Sequence, residues 1–469
     1  MASSQRWRLL VFQFLCISCS VRVTLSANKL LLLLVDGMRW DYADRENLPA
    51  FKQIEMQGAR ATKMRPSFPS SSYPNYYSIM TGLHCENHGM VSNFMYDADR
   101  NKIFDIGGNP ESYESFWWED AEPLWIGAER QGKKSFLLSW PNCNVTIHQH
   151  KPSVCREWME EPLQNGASLK KDLEEAVASL RNNSADFVGI YYISIDHFGH
   201  LYGPNGRELN TALKELDGTI TELLQITSDM RENLNIIILA DHGMTSIGEA
   251  VNLTERMDLS DLVSFPIKGS LNSGANVELW PAIEPAELVK KLNNDSLGER
   301  YFTAYLKKDI PERFFYINHK LVAPVFVLAE SGYYMTTFAS PNVPTFDENE
   351  NDKTVVRTMK GTHGYDNAEN DMHAIFYAIG PNFNANSKVD LINNTDVYQV
   401  MCKILGIEAE ANNGSWAAMS TLTMFDQPTP KTTSSSIAST LSPTTQSQRG
   451  GVNAVFVMLG VLILVELVL

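Results

Sequence analysis

Four short stretches of this chain, residues 29–35, 187–195, 235–240 and 374–379, are almost continuously apolar and alternate with segments of helical spacing. A strand with apolar residues on both faces has no wet side. It belongs inside a parallel sheet with helices covering each face, so the fold class is α/β. Between these runs, Asn47 and Pro49 read as the N-cap and first turn of a helix over residues 48–56, and residues 169–180 and 208–224 carry helical periodicity. Residues from about 255 to about 360 are less regular, with strand-like pieces such as 325–328, and are expected to form a smaller inserted lobe beside the main sheet. No internal repeat is evident.

Chemistry-bearing residues stand where three of the runs stop. Asp36 follows residues 30–35, Asp196 follows 191–195 and Asp241 follows 236–240, each next to a Gly or a His. Carboxylates at the carboxyl ends of neighbouring strands converge on the sheet edge where open α/β proteins bind ligands. Asp196 and His200 have D-x-x-x-H spacing, Asp241 and His242 are adjacent, and His363 lies in Gly361-Thr362-His363-Gly364-Tyr365-Asp366-Asn367. Asp oxygens and His nitrogens suit zinc, and a catalytic zinc keeps positions open for substrate and water. Any one of these histidines alone reads as a loop residue; the set reads as a metal centre.

A nucleophile candidate lies in Phe68-Pro69-Ser70-Ser71-Ser72-Tyr73-Pro74-Asn75. Residues 76–83 have a helix-forming pattern, which places the serines at a helix amino end, where free N–H groups and the dipole favour an anionic phosphate. On local sequence alone, three serines before a helix are an N-cap.

Taken in order, Val35-Asp36-Gly37, the Phe68–Asn75 run, Thr81-Gly82-Leu83, Glu86-Asn87-His88-Gly89, Asp196 with Gly199-His200 and Tyr202-Gly203-Pro204, Asp241-His242-Gly243-Met244 and the His363 run resemble one known family. It is the ectonucleotide pyrophosphatase/phosphodiesterase family of the alkaline phosphatase superfamily, and the resemblance spans roughly residues 29–415. Within it the chain looks most like the choline-specific glycerophosphodiesterase branch. The pointers are Ser72 where most relatives have Thr, Tyr73-Pro74-Asn75-Tyr76-Tyr77, His84-Cys85-Glu86, Trp117-Trp118 and Pro123-Leu124-Trp125.

The resemblance implies an alkaline-phosphatase-like, mostly parallel sheet flanked by helices and two Zn2+ per subunit. One zinc would be held by Asp36, Ser72, Asp241 and His242, the other by Asp196, His200 and His363. Ser72 would be the catalytic nucleophile and Asn93 the amide that holds a phosphate oxygen, although Asn93 reads locally as a turn residue. The implied substrates are glycerophosphocholine and lysophosphatidylcholine, cleaved to phosphocholine plus glycerol or monoacylglycerol. A quaternary ammonium is recognised by aromatic faces with a carboxylate. Tyr73, Trp117, Trp118, Tyr191 and Glu278 are the candidates, and the aromatic ones fit ordinary core packing equally well. The rival readings are a nucleotide pyrophosphatase, a sphingomyelin phosphodiesterase, and an inactive binding ectodomain that kept the fold.

The two ends of the chain carry processing signals. Arg6 and Arg8 precede an apolar run and then small residues, the layout of a secretory signal peptide over residues 1–27, with cleavage after Ser20 or Ala27. The catalytic domain is expected over 28–420, followed by a Ser/Thr-rich stalk and GPI-attachment region over 421–453, with ω-site candidates at 434–439, and a hydrophobic tail over 454–469. A single membrane-spanning helix is the rival for that tail, weakened by Glu466, by its length and by the missing basic flank.

The expected location is therefore the extracellular face of the cell membrane. Cys143 and Cys155 are the expected disulfide; Cys85 and Cys402 can be paired or free. Glycosylation acceptor patterns occur at Asn144, Asn182, Asn252, Asn294, Asn393 and Asn413. A net charge of −16 over 469 residues argues against nucleic acid as a partner. Oligomeric state is not fixed by sequence, and a homodimer is compatible with it.

Overall fold

The elements that build the site are, in chain order, β1 (Lys29–Val35), α1 (Pro49–Gln57), β2 (Ala59–Arg65), α2 (Ser72–Thr81), β3 (Ser135–Trp140), β4 (Val154–Glu157), α3 (Gly166–Arg181), β5 (Phe187–Tyr192), α4 (Ser194–Tyr202), α5 (Arg207–Ile226), β6 (Leu234–Leu239), β7 (Asn276–Leu279), β8 (Phe302–Leu306), β9 (Val325–Ala329), β10 (Ala374–Ile379), β11 (Ser387–Asn393) and α6 (Val397–Leu405). The computed structural model describes residues 28–106, 109–159, 163–262, 273–294, 301–338, 342–347 and 356–425. The expected signal peptide, most of the stalk, the attachment site and the hydrophobic tail lie outside them.

Eight strands form the central sheet in the order β11-β2-β10-β6-β1-β5-β3-β4. All run in one direction except β10, which is antiparallel to both β2 and β6. The run at 374–379 is thus a buried strand as expected, but it points the opposite way. β1, β5 and β6 are buried along their whole length, which requires cover on both faces. Helices α1 and α3 both pack on α5, while α6 packs on β1 and on α2.

Two element boundaries differ from the sequence expectation for identifiable reasons. Asn47 does not cap α1; Leu48 holds the N-cap position and Asn47 takes a left-handed φ of 56°. The open N–H groups of Ala50 and Phe51 are instead accepted by Asp217 Oδ1 of α5, at 2.9 and 3.4 Å. The apolar run 187–195 leaves the sheet at Tyr192, because the Gln164 side chain accepts from Ile193 N–H and donates to the Tyr191 carbonyl, replacing the strand ladder. Asp196 therefore stands in the first turn of α4 rather than at a strand end.

The inserted region carries a three-stranded antiparallel sheet in the order β7-β9-β8. Its apolar core gathers Val277, Leu279, Leu288, Leu292, Phe302, Val325 and Val327. Phe326 and Leu328, the alternate residues of β9, belong to the main core instead. One strand thus serves two cores by its period of two. Cys143 and Cys155 are disulfide-bonded, whereas Cys85 and Cys402 are free and buried. Asn144, Asn182, Asn252, Asn294 and Asn413 are exposed, and Asn393 is half-buried with its side chain in a capping box at the turn after β11.

Candidate active site

Parallel register sets the first two carboxylates side by side. Leu34 of β1 pairs with Leu239 of β6 and with Tyr191 of β5, so Asp36 and Asp241, each two residues further on, leave the sheet at one level. Gly37 between them has φ +68°, and a Cβ there would stand 2.8 Å from the Asp196 backbone. The missing side chain is what lets α4 bring Asp196 in. The Gly37 N–H donates to Asp241 Oδ1 at 3.1 Å.

The serine run supplies the opposite wall. Helix α2 begins at Ser72, four residues earlier than the pattern suggests, because Pro74 falls in the first turn, where no N–H is needed. Ser71 occupies the N-cap position without a side-chain capping bond, so capping does not account for the serines. Ser72 Oγ lies 3.2 Å from His242 Nε2. Asn93 Oδ1 accepts from the Tyr73 N–H at 2.9 Å, which leaves its Nδ2 to donate.

Three histidines converge with a common orientation. Each places Nδ1 against a backbone carbonyl: His200 on Gly361 at 2.8 Å, His242 on Gly243 at 2.8 Å and His363 on Ser70 at 3.0 Å. A carbonyl can only accept, so Nδ1 carries the proton and Nε2 turns its lone pair inward in the neutral ring. His200 Nε2 is 3.3 Å from Asp196 Oδ2, and His363 Nε2 is 3.5 Å from Asp196 Oδ1. His242 Nε2 is 3.3 Å from Asp36 Oδ1 and 3.6 Å from Asp241 Oδ2. The ligand atoms of Asp196, His200 and His363 lie within 4.8 Å of one another, as do those of Asp36, Asp196 and His242, so Asp196 belongs to both groups.

The electrostatics of the cluster call for added positive charge. Burial and the neighbouring Asp36 push the Asp241 carboxyl well above its usual range. Burial opposes charge on His242, yet Asp241 and Asp36 raise its pKa to about 10. Burial and the adjacent His242 hold His363 well below the usual histidine value, which favours the neutral form that ligates. Asp36 Oδ1, Asp196 Oδ1 and Asp241 Oδ2 are buried without a hydrogen-bond partner among the described residues. Orphaned carboxylate oxygens facing imidazole lone pairs fit divalent cations, and Asp/His sets of this kind suit zinc.

One cavity has His200 and His363 of this cluster in its wall, and another has Tyr73, the residue after Ser72, in its wall. The first, of about 360 Å³, is lined by Ser71, Asn93, Phe94, Asn276, Glu278 and His363 among others. Glu278 there is 3% exposed, accepts from the Tyr316 hydroxyl at 2.6 Å and keeps Oε2 unpartnered among the described residues. The second, of about 560 Å³, is lined by Tyr73, Tyr113, Asn142, Arg156, Glu157 and Trp158, among others.

The choline candidates are thus dispersed. Tyr73 reaches the second cavity, its hydroxyl donating to Asn142 Oδ1 at 2.7 Å, and Glu278 reaches the first. Trp117 and Trp118 line neither cavity: both are 1% exposed, with indole N–H groups on the Glu111 and Ser112 carbonyls. Tyr191 lines neither cavity and donates its hydroxyl to Asp36 Oδ2. Tyr113, Glu157 and Trp158 were not singled out by the sequence. For Glu157 and Trp158 the available signal was their nearness to Cys155, since residues flanking the Cys143–Cys155 bridge form part of the wall of the second cavity; Tyr113 lies far from both cysteines in sequence and carried no such signal.

The described fold and this Asp/His/Ser cluster are those of a class of metal-dependent hydrolases of phosphodiesters. The family profile described as type I phosphodiesterase / nucleotide pyrophosphatase matches residues 30–366. Human ectonucleotide pyrophosphatase/phosphodiesterase family member 5 is 30% identical over 422 residues, covering 87% of this chain and 82% of its own. The human bis(5'-adenosyl)-triphosphatase of the same family is 31% identical over 394 residues, covering 83% and 80%.

Among solved structures, murine ectonucleotide pyrophosphatase/phosphodiesterase 5, as an inactive variant in complex with AMP, superposes with a TM-score of 0.72 at 28% identity, covering 84% of this chain and 100% of that one. The chain belongs to the ectonucleotide pyrophosphatase/phosphodiesterase family of the alkaline phosphatase superfamily.

Proposed function

We propose that the chain is a zinc-dependent glycerophosphodiesterase that releases phosphocholine from glycerophosphocholine and lysophosphatidylcholine. The observation that carries the choline reading is the second cavity, whose wall includes the aromatic residues Tyr73, Tyr113 and Trp158 together with Glu157, which keeps a buried oxygen, Oε1, without a hydrogen-bond partner among the described residues. That combination suits a quaternary ammonium, which attracts π faces and a carboxylate but donates no hydrogen bond. A nucleotide reading is favoured by the relative solved with AMP and by the one named a bis(5'-adenosyl)-triphosphatase. Aromatic walls would also stack a base. Further phosphates, however, call for a free cation, and Arg156 in that wall is engaged with Asp172 and Glu175 at 2.6 and 2.7 Å.

Two Zn2+ would be held by Asp36, Ser72, Asp241 and His242 and by Asp196, His200 and His363, with Asp196 close enough to serve both. Bound there, they would neutralise the carboxylates, lower the pKa of the serine hydroxyl and stabilise developing charge on the attacking and leaving oxygens. Ser72 releases its hydroxyl proton to solvent as Oγ attacks phosphorus, and the bond from phosphorus to the glycerol oxygen breaks, so that the alkoxide of glycerol or monoacylglycerol leaves and takes a proton from solvent. Phosphocholine is then held on Ser72 as a diester, which water hydrolyses to restore the hydroxyl. The Asn93 Nδ2 donates to a phosphoryl oxygen through both steps. The same reading puts the protein on the extracellular face of the cell membrane through a GPI anchor; a formed disulfide and five exposed acceptor asparagines suit that compartment.

The test is product identification with glycerophosphocholine and with a nucleotide diester, each with and without a chelator. Chelator-sensitive release of phosphocholine, with little nucleotide cleavage, is expected. Ser72→Ala is expected to lower turnover by at least about a thousandfold without loss of secretion. Preferential nucleotide cleavage would discard the choline reading, and no reaction with either substrate would leave a binding ectodomain.

A further inference from the structure

Tyr191 was expected in the choline pocket, but its hydroxyl points to the metal cluster. It sits on β5 opposite Leu34 of β1, and Asp36 is two residues beyond Leu34, so all three side chains lie on one face of the sheet. The two oxygens of Asp36 have different surroundings. Oδ2 accepts from the Tyr191 hydroxyl, while Oδ1 faces His242 Nε2 at 3.3 Å with no hydrogen bond of its own.

We propose that Tyr191 is a positioning residue whose hydroxyl fixes the Asp36 carboxylate so that Oδ1 is presented to a cation. The proposal rests on the metal reading above. A carboxylate otherwise swings broadly about its last torsion, and a donor on one oxygen selects the orientation that aims the other. Tyr191 is itself locked. It is 4% exposed, its ring meets Tyr76 edge-on at 6.5 Å and Trp158 edge-on at 6.4 Å, and its carbonyl accepts from Gln164 Nε2 at 3.0 Å. Trp158 lines the aromatic cavity, so one packed chain of side chains joins the cavity wall to a ligand: Trp158, then Tyr191, then Asp36.

Tyr191→Phe keeps the ring and removes the one atom that matters. Competition of the secreted protein against a zinc-chelating dye should show two binding steps. The variant should lose about tenfold or more at the Asp36-containing site and little at the other. The metal-free melting temperature should stay within a few degrees of wild type, KM for glycerophosphocholine should change by less than about twofold, and excess zinc should restore kcat.

Equal weakening of both sites with a lower metal-free melting temperature would mean a packing defect and overturn the proposal. So would unchanged affinity at both sites. Asp36→Asn separates the layers. If it loses one ion while Tyr191→Phe binds as wild type does, only the positioning role falls; if Asp36→Asn also binds two ions normally, the metal reading falls with it.

Discussion

Glu278 shows how a single buried group can be read twice. Burial raises its pKa to about 8, against the donation from Tyr316 and the more distant charge of Lys307, which lower it. A carboxyl with a raised folded-state pKa contributes stability below its unfolded value and loses that contribution as pH rises through the folded value. Urea denaturation of the zinc-loaded wild type and of Glu278→Gln should therefore show the difference between them moving against the wild type by a few kcal/mol from about pH 5 to about pH 9. A constant difference across that range would show that Glu278 stays ionised.

The convergence of Asp36, Asp241, His200, His242 and His363 was legible in the sequence, because a cluster of ligand-type atoms demands particular residues at strand ends and at fixed spacing. Trp117 and Trp118 were not, because an indole in a core and an indole on a cavity look alike until its N–H partner is known, here the Glu111 and Ser112 carbonyls.

At the scale of elements, periodicity revealed what is buried but not which way it runs. β10 is apolar throughout, as β6 is apart from Asn235, and burial on both faces is indifferent to strand direction, so its antiparallel course was invisible. Helix starts failed for another reason: the cap of α1 is Asp217, which is 167 residues away from Ala50 in sequence. Asp217→Ala should cost about 1–2 kcal/mol in urea denaturation, whereas Asp217→Asn, which keeps an acceptor, should cost less. Equal losses in the two variants would assign the effect to packing instead.

For the molecule as a whole, a metal held at this cluster would also be a stability element. Asp36, Asp196 and Asp241 are all less than 10% exposed within one cluster, and cations that bind only the folded chain stabilise it by mass action, by about 2.7 kcal/mol per site at a hundredfold excess over Kd. Calorimetry with a strong chelator should show the melting temperature fall by several degrees and recover with zinc. An unchanged transition would remove the cations from the folding equilibrium.

The way β9 is shared between two cores limits what the lobe can do. Phe326 packs edge-on against Phe68 at 5.6 Å, in the segment that leads to Ser72, while its neighbours Val325 and Val327 fill the lobe. Swinging the lobe outward would strip Phe326 and Leu328 from the main core, at about 1.5–3 kcal/mol for each side chain exposed. A hinge-and-clamp cycle is therefore disfavoured. Substrate is expected to meet a cleft whose walls already stand at their working separation, with no closing step to limit turnover.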